Sequence, residues 1–140
     1  MNIRNCRGPA TALLLLLSIG AGCGGAPSGP ERATTKGTVK FDDQPISGGT
    51  ITFQRGQGST GGGIQNGEFN FTGENGVPLG EYTVRFNWMK PTGKKILEPD
   101  SGTEVDETLE AIPAKYNTQS TERVTIKAGE NVLKFDLKSK

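Results

Sequence analysis

Apolar and polar residues alternate along most of this chain, in short runs. Val39 and Phe41 share one side of Thr38–Phe41, and Ile51 and Phe53 share one side of Thr50–Gln54. Glu68–Thr72 repeats the pattern with Phe69 and Phe71. Glu81–Trp88 sets Tyr82, Val84, Phe86 and Trp88 against Thr83, Arg85 and Asn87. Near the end, Val124 and Ile126 oppose Arg123, Thr125 and Lys127, while Leu133, Phe135 and Leu137 oppose Lys134, Asp136 and Lys138. A period of two puts one side of each run on a core and the other in water, as a half-buried antiparallel sheet requires. Two such sheets stacked on their apolar faces make a sandwich. With a weaker segment at Thr60–Gln65, the pattern predicts an all-β fold: a seven-strand antiparallel β-sandwich.

Turn residues punctuate these runs. Asp42-Asp43-Gln44-Pro45 closes the first, and Pro45 has no amide hydrogen for a central ladder. Asn66-Gly67 is a strong hairpin signal before Glu68–Thr72. Ala128-Gly129-Glu130-Asn131 separates the last two runs. One departure from period two occurs. Val105, Leu109 and Ile112 are spaced as on one helical face, and Pro113 would end the helix after a turn or two. Met89–Thr103 is polar and carries Gly and Pro, so it reads as a long loop, either functional or mobile.

The first 22 residues follow another rule. Arg4 and Arg7 precede an apolar run from Ala10 to Ile19, and Gly20, Ala21 and Gly22 precede Cys23. This is the architecture of a secretory signal peptide, and its apolar run is short of the roughly 20 residues that span a bilayer. Small residues before a cysteine resemble the lipobox of bacterial lipoproteins. That resemblance implies a diacylglyceryl group on the Cys23 thiol, with Cys23 as the mature N-terminus. Gly20 stands where the lipobox usually has Leu, with Ile19 one place earlier. The alternative is ordinary cleavage near Ala26 and a secreted protein. Gly24, where an Asp would signal inner-membrane retention, leans toward the outer membrane. Residues 24–35 lack apolar periodicity and read as a flexible tether. The expected organisation is a signal peptide at 1–22, lipidated Cys23 and tether at 23–35, and one β-domain at 36–140.

Composition narrows the chemistry. The net charge is +1 overall, and without residues 1–22 fourteen basic side chains face fifteen acidic ones. That balance offers no basic face for nucleic acid. The chain has no histidine, which removes Ser–His and Cys–His catalysis. Cys6 would leave with the signal and Cys23 would carry lipid, so the folded part has no thiol. No cofactor or metal is expected. Glu98, Asp100, Glu104, Asp106, Glu107 and Glu110 crowd one segment, and calcium in 98–110 is the alternative to a solvated acidic loop. The spacing there departs from the EF-hand pattern. Gly56–Gly63 is glycine-rich, but Ile64 and Gln65 stand where a P-loop needs Lys and Ser/Thr, so it reads as a flexible connection. Lys90, Lys94 and Lys95 could meet anionic polysaccharide or lipid head groups, or be simply solvated. The candidate ligand-binding residues are Trp88, Tyr116 and Asn117. An exposed ring can stack on a sugar while Asn87, Asn117 or Gln119 bonds its hydroxyls. The alternative is that Trp88 ends the core and Tyr116 packs on a sheet edge.

Four stretches carry a resemblance. G-T-V-x-x-D-x-x-P-I-x-G-G-x-I-x-F at Gly37–Phe53, G-E-F-x-F at Gly67–Phe71, P-L-G-E-Y-T-V-R-F at Pro78–Phe86, and I-P-A-K-Y-N at Ile112–Asn117 follow in order. Together they are similar to carboxypeptidase regulatory-like domains, which have a transthyretin-like sandwich. The resemblance covers roughly residues 36–138 and implies a noncatalytic accessory or surface module. The expectation is then a lipid-anchored cell-envelope protein facing the periplasm or cell surface. Its partners would be the membrane, through the N-terminal lipid, and an envelope protein or polysaccharide. The alternative is a carbohydrate-binding module of the starch-binding-like type.

Overall fold

The computed structural model describes residues 29–140, so the signal peptide and the lipidation expected at Cys23 lie outside the described residues. Strand β1 (Arg32–Phe41) organises the first sheet. One edge of β1 pairs with β11 (Glu130–Leu137), from Thr34 opposite Glu130 to Phe41 opposite Leu137. Its other edge is tiled by three short strands in turn. These are β6 (Val77–Pro78) at Arg32 and Ala33, β5 (Glu68–Phe71) at Thr35 to Thr38, and β2 (Gln44–Pro45) at Lys40 and Phe41. The second sheet is antiparallel, in the order β10 (Arg123–Ile126), β7 (Gly80–Asn87), β3 (Thr50–Arg55), β4 (Gly58–Gly63). A third sheet holds only β8 (Met89–Leu97) and β9 (Glu104–Glu110), paired with each other.

The fold is all-β, and its two larger sheets face each other across one core. Phe53 of β3 sits at the centre, fully buried, with Phe69, Phe71 and Tyr82 edge-on to it at centroid distances of 6.5, 6.1 and 6.1 Å. Phe86 of β7 meets Phe135 of β11 at 4.9 Å. Phe53–Phe69, Phe53–Phe71 and Phe86–Phe135 join strands of opposite sheets, whereas Phe53–Tyr82 lies within the second sheet; each pair adds about 0.5–1.5 kcal/mol to the burial of its rings. Val39, Ile51, Val77 and Val84 are also fully buried and fill the space between.

Each alternating run forms a strand, yet the expected count and direction need correction. The β8–β9 pair and the two-residue β2 and β6 exceed the count of seven. The sheets are also not wholly antiparallel, because β1 and β11 run parallel. Local turns dictate antiparallel neighbours, but the first and last strands meet through the whole intervening chain, which satisfies the long crossover that parallel pairing needs. Residues 32–35, expected in the tether, belong to β1, where Ala33 and Thr35 are buried.

Two further expectations fail for the same kind of reason. The predicted helix at Val105–Ile112 is strand β9, and the predicted loop from Met89 is strand β8. Residues four apart share a face in a strand as well as in a helix, so Val105 and Leu109 could not distinguish the two. Ile112 lies past the end of β9, buried in the main core. Gly56–Gly63 is not a loose connection either; it is a hairpin turn followed by the edge strand β4. A Cβ at Gly61 would stand 2.1 Å from the Ile51 carbonyl oxygen, and one at Gly62 would stand 2.7 Å from the Phe71 ring. Close approach of neighbours, rather than flexibility, selects those glycines.

The turns match their signals. Asp42 and Asp43 have φ of 49° and 67°, and Asn66 and Gly67 have 51° and 77°. Two consecutive left-handed residues are what a tight hairpin turn needs. At the second turn Gln65 and Glu68 exchange both backbone hydrogen bonds at 2.9 Å, and the chain passes from one sheet to the other.

Gly37 tests this arrangement. A Cβ there would lie 1.9 Å from the Leu133 carbonyl oxygen of β11 and 2.8 Å from the Phe69 ring. Gly37→Ala is therefore expected to destabilise the protein by about 1–3 kcal/mol, the cost of overpacking a core. Urea unfolding of the two proteins side by side checks this. An unchanged midpoint would mean that β11 does not pack so closely on β1.

Candidate functional site

Asn87, the last residue of β7, delivers the chain through Trp88 to the β8–β9 arm, and Glu110 brings it back. Glu110 ties those two ends together. One carboxylate oxygen accepts the backbone N–H of Trp88 and of Ile112, each at 2.9 Å. The other accepts the side-chain amides of Asn87 at 2.9 Å and Asn117 at 3.4 Å. The backbone N–H of Ala111 closes the ring by donating to the Trp88 carbonyl at 2.9 Å. Partial burial pushes the Glu110 carboxyl up, but the hydrogen bonds donated by Trp88, Ile112 and Asn87 outweigh it and hold the group below its ordinary value.

The structure gathers the residues expected to bind ligand at this end of the sandwich. Trp88 is half-buried at the rim of the core, with Phe41 edge-on at 6.4 Å and the Lys90 ammonium 5.5 Å from its ring centroid. Tyr116 is half-buried in a 3-10 turn (Ala114–Tyr116). Its hydroxyl accepts the Lys138 backbone N–H at 3.3 Å, and the Lys115 ammonium lies 5.0 Å from its ring. Both rings thus pack on the core and carry a lysine. Asn87 and Asn117 spend their amides on Glu110, and the Gln119 backbone N–H closes the following turn onto Ala114. The geometry here is that of a clamp, and open aromatic platforms are not part of it.

A second cluster fixes the C-terminus beside it. Asp42 accepts the Ser139 backbone N–H at 2.9 Å, and the Lys138 ammonium contacts Asp43 at 2.6 Å. Those contacts hold the Asp42 carboxyl below its ordinary value and raise Lys138, chiefly through its hydrogen bond to Asp43.

The arm itself is the largest departure from sequence reasoning. Cross-strand partners share a face. One face therefore carries Lys90, Thr92 and Ile96 with Val105, Glu107 and Leu109. The other carries Met89, Pro91, Lys95 and Leu97 with Glu104, Asp106, Thr108 and Glu110. Thr92 donates to Glu107 at 2.6 Å, and Lys95 pairs with Asp106 at 2.9 Å. Met89, Ile96, Leu97 and Leu109 are all exposed, and Val132 is the remaining large apolar residue in that class among the described residues. The signal for this arm was present in sequence as Ile96-Leu97, an apolar pair inside a polar stretch.

Two other features complete the survey. Among the described residues, no three acidic side chains converge as a metal site would need. Glu98 accepts Ser101, Asp106 pairs Lys95, Glu107 accepts Thr92, and Glu110 holds the clamp, so the 98–110 carboxylates are dispersed along the arm. An open groove of about 700 Å³ lies on the first sheet, lined by Lys36, Thr38, Gln65, Asn66, Glu68 and Asn70 among others. None of these residues is an apolar position of an alternating run, so the alternation alone does not single them out.

No protein-family model, curated protein or solved structure matches this chain. The resemblance drawn from its four motifs rests on those residues.

Glu110→Ala should leave two backbone N–H groups and two amides without their acceptor. The expected loss is about 1 kcal/mol, kept low by exposure of the site, with the arm affected first. The depressed carboxyl also sets a pH dependence. Its contribution is complete above the ordinary glutamate value of 4.5 and fades as pH falls through the lower folded value. Unfolding of wild type and Glu110→Ala at pH 7 and pH 3 checks both points. The difference between them should shrink at pH 3, and a constant difference would contradict the clamp.

Proposed function

We propose that this protein is a noncatalytic, lipid-anchored module of the cell envelope, held at the outer membrane by Cys23, that works by contact with other molecules. Its domain is a transthyretin-like sandwich of the carboxypeptidase regulatory-like kind. The observation that carries the reading is the β8–β9 arm. An ordered hairpin that contributes little to the main core, and displays Met89, Ile96, Leu97 and Leu109 to solvent, is a surface kept for contact. The anchor rests on the N-terminal architecture ending in Cys23, and two or more acyl chains suffice for stable attachment. Strand β1 begins at Arg32, which leaves a short tether between the lipid and the fold.

A second reading, a carbohydrate-binding module, draws support from the groove. Its Gln65, Asn66, Glu68 and Asn70 are suited to sugar hydroxyls, whereas the rings of Trp88 and Tyr116 are half-buried. The site of that reading is therefore the groove on β1 and β5.

Cys23→Ser tests the anchor. The variant should lose acyl mass and leave the membrane fraction, as read by mass spectrometry and fractionation of cells making the full chain. A variant that stays in the membrane at unchanged mass would refute lipidation. The two readings separate with Asn70→Ala. Binding of the full chain to envelope polysaccharides that Asn70→Ala abolishes, with the fold intact, would place the carbohydrate reading first.

A further inference from the structure

The arm has two long edges, and they are not alike. Among the described residues no other strand pairs with either. A two-stranded ribbon is marginally stable in water and gains from a third strand. Its unpaired edges are templates for one, and proteins that must avoid such pairing blunt them.

Strand β8 is blunted along its length. Pro91 has no amide hydrogen. The register breaks between Pro91 and Lys95, where Gly93 takes φ of 83°. Lys90, Lys94 and Lys95 add three positive charges, another common guard of edges. Strand β9 has neither proline nor bulge, and its charges are four carboxylates, which guard the edge against acidic strands and leave it open to basic ones. Glu104–Glu110 contains no Pro, Gly or Lys, and its residues pair singly with β8 on both sides of the bulge. Its outer edge is regular and open.

Side chains along β9 specify what could add there. A new neighbouring strand would set alternate residues beside Val105, Glu107 and Leu109 on one face, with Glu107 accepting Thr92, and beside Glu104, Asp106 and Thr108 on the other. Leu109 is 62% exposed, and Ile96 on the same face is 46% exposed, so apolar surface there awaits cover. On the other face Glu104 has no ion-pair partner among the described residues, and Asp106 shares its charge with Lys95 alone. From Met89 to Glu110 the arm carries three lysines against six carboxylates, a local charge of −3. Like-charged strands are repelled and basic ones attracted. The chain's own basic strand, β8, is the blunted one, which disfavours a second copy as the occupant.

We infer that the open edge of β9 takes an extended segment of another protein, in which basic residues alternate with apolar ones, as a third strand. Backbone hydrogen bonds to β9 would hold the segment, and exposed Leu109 with Val105 on one face against Glu104 and Asp106 on the other would set its register. This inference rests on the reading of the protein as an interaction module.

Two synthetic peptides test it on the full chain in mild detergent: one alternates Lys and Val, the other alternates Glu and Val. Amide hydrogen exchange over Glu104–Glu110 is the readout, with emission of Trp88 at the base of the arm as a second. The Lys-Val peptide should slow exchange along β9 with a Kd of about 1 mM or tighter, and at least about tenfold better than Glu-Val. Raising salt to 1 M should weaken it, since screening then acts within about 3 Å. A variant carrying Glu104→Lys, Lys95→Asp and Asp106→Lys keeps an ion pair inside the arm while cancelling the negative charge along β9. Its preference for Lys-Val over Glu-Val should be lost. No protection by Lys-Val at 1 mM, equal protection of the parent protein by both peptides, or an undiminished preference in the variant would each overturn the inference. Protection that grows with protein concentration in the absence of peptide would also overturn it, by showing a second copy in the site. Those results leave the membrane anchor untouched, because Cys23→Ser tests that separately.

Discussion

The structure depends on the pairing of β1 with everything around it. A ten-residue strand (Arg32–Phe41) binds the C-terminal β11 on one side and three separate short strands on the other. None of β2, β5 and β6 exceeds four residues, and none could hold a sheet position alone. They stand in line because β1 offers each of them part of one continuous edge. The buried side of β1 then carries Ala33, Thr35 and Val39 into the core, and Gly37 lets β11 and the Phe69 ring close in. Since β1 and β11 come from opposite ends of the chain, the parallel pair forms only when the intervening chain has folded to bring them together. A domain with so many non-local pairings has a high contact order and is expected to fold slowly.

Outside that frame the arm obeys different physics. It gains little from the main core, so its order comes from cross-strand contacts and from what fixes its base. Glu110 supplies the second. One carboxylate gathers donors from Trp88, Ile112, Asn87 and Asn117, which come from both sides of the arm. The clamp sits beside the half-buried Trp88 and Tyr116, so the base of the arm rests on a fixed aromatic rim. A fixed base with an apolar-bearing ribbon beyond it suits an element that opens separately while the sandwich stays folded.

Legibility in the sequence followed the range of the interaction. Strands β1, β3, β5, β7, β10 and β11 were visible because period two is local, and the turns at Asp42-Asp43 and Asn66-Gly67 because left-handed backbone selects its residues locally. The parallel direction of β11 was not visible, since nothing near Leu133 encodes what lies beside it. The arm was misread because its alternation is broken. The bulge between Pro91 and Lys95 shifts the period, and Val105 with Leu109 fits two periodicities at once. Glu110 looked like one more solvated acid in an acidic stretch. Only the fold brings the four donors to it. Trp88, Tyr116 and Asn117 stood out as ligand-binding candidates by residue type alone, and the contacts they make in the fold are packing and clamping ones.

Residue-resolved amide hydrogen exchange on the full chain, with and without Glu110→Ala, tests the central claim most directly: a sandwich built on β1 and a separately held arm. The account predicts that amides of β1 and β11 exchange only through global unfolding, that amides of β8 and β9 exchange through a smaller opening, and that Glu110→Ala enlarges the second opening while moving the first by far less. Equal protection of arm and sandwich, lost together in the variant, would contradict it.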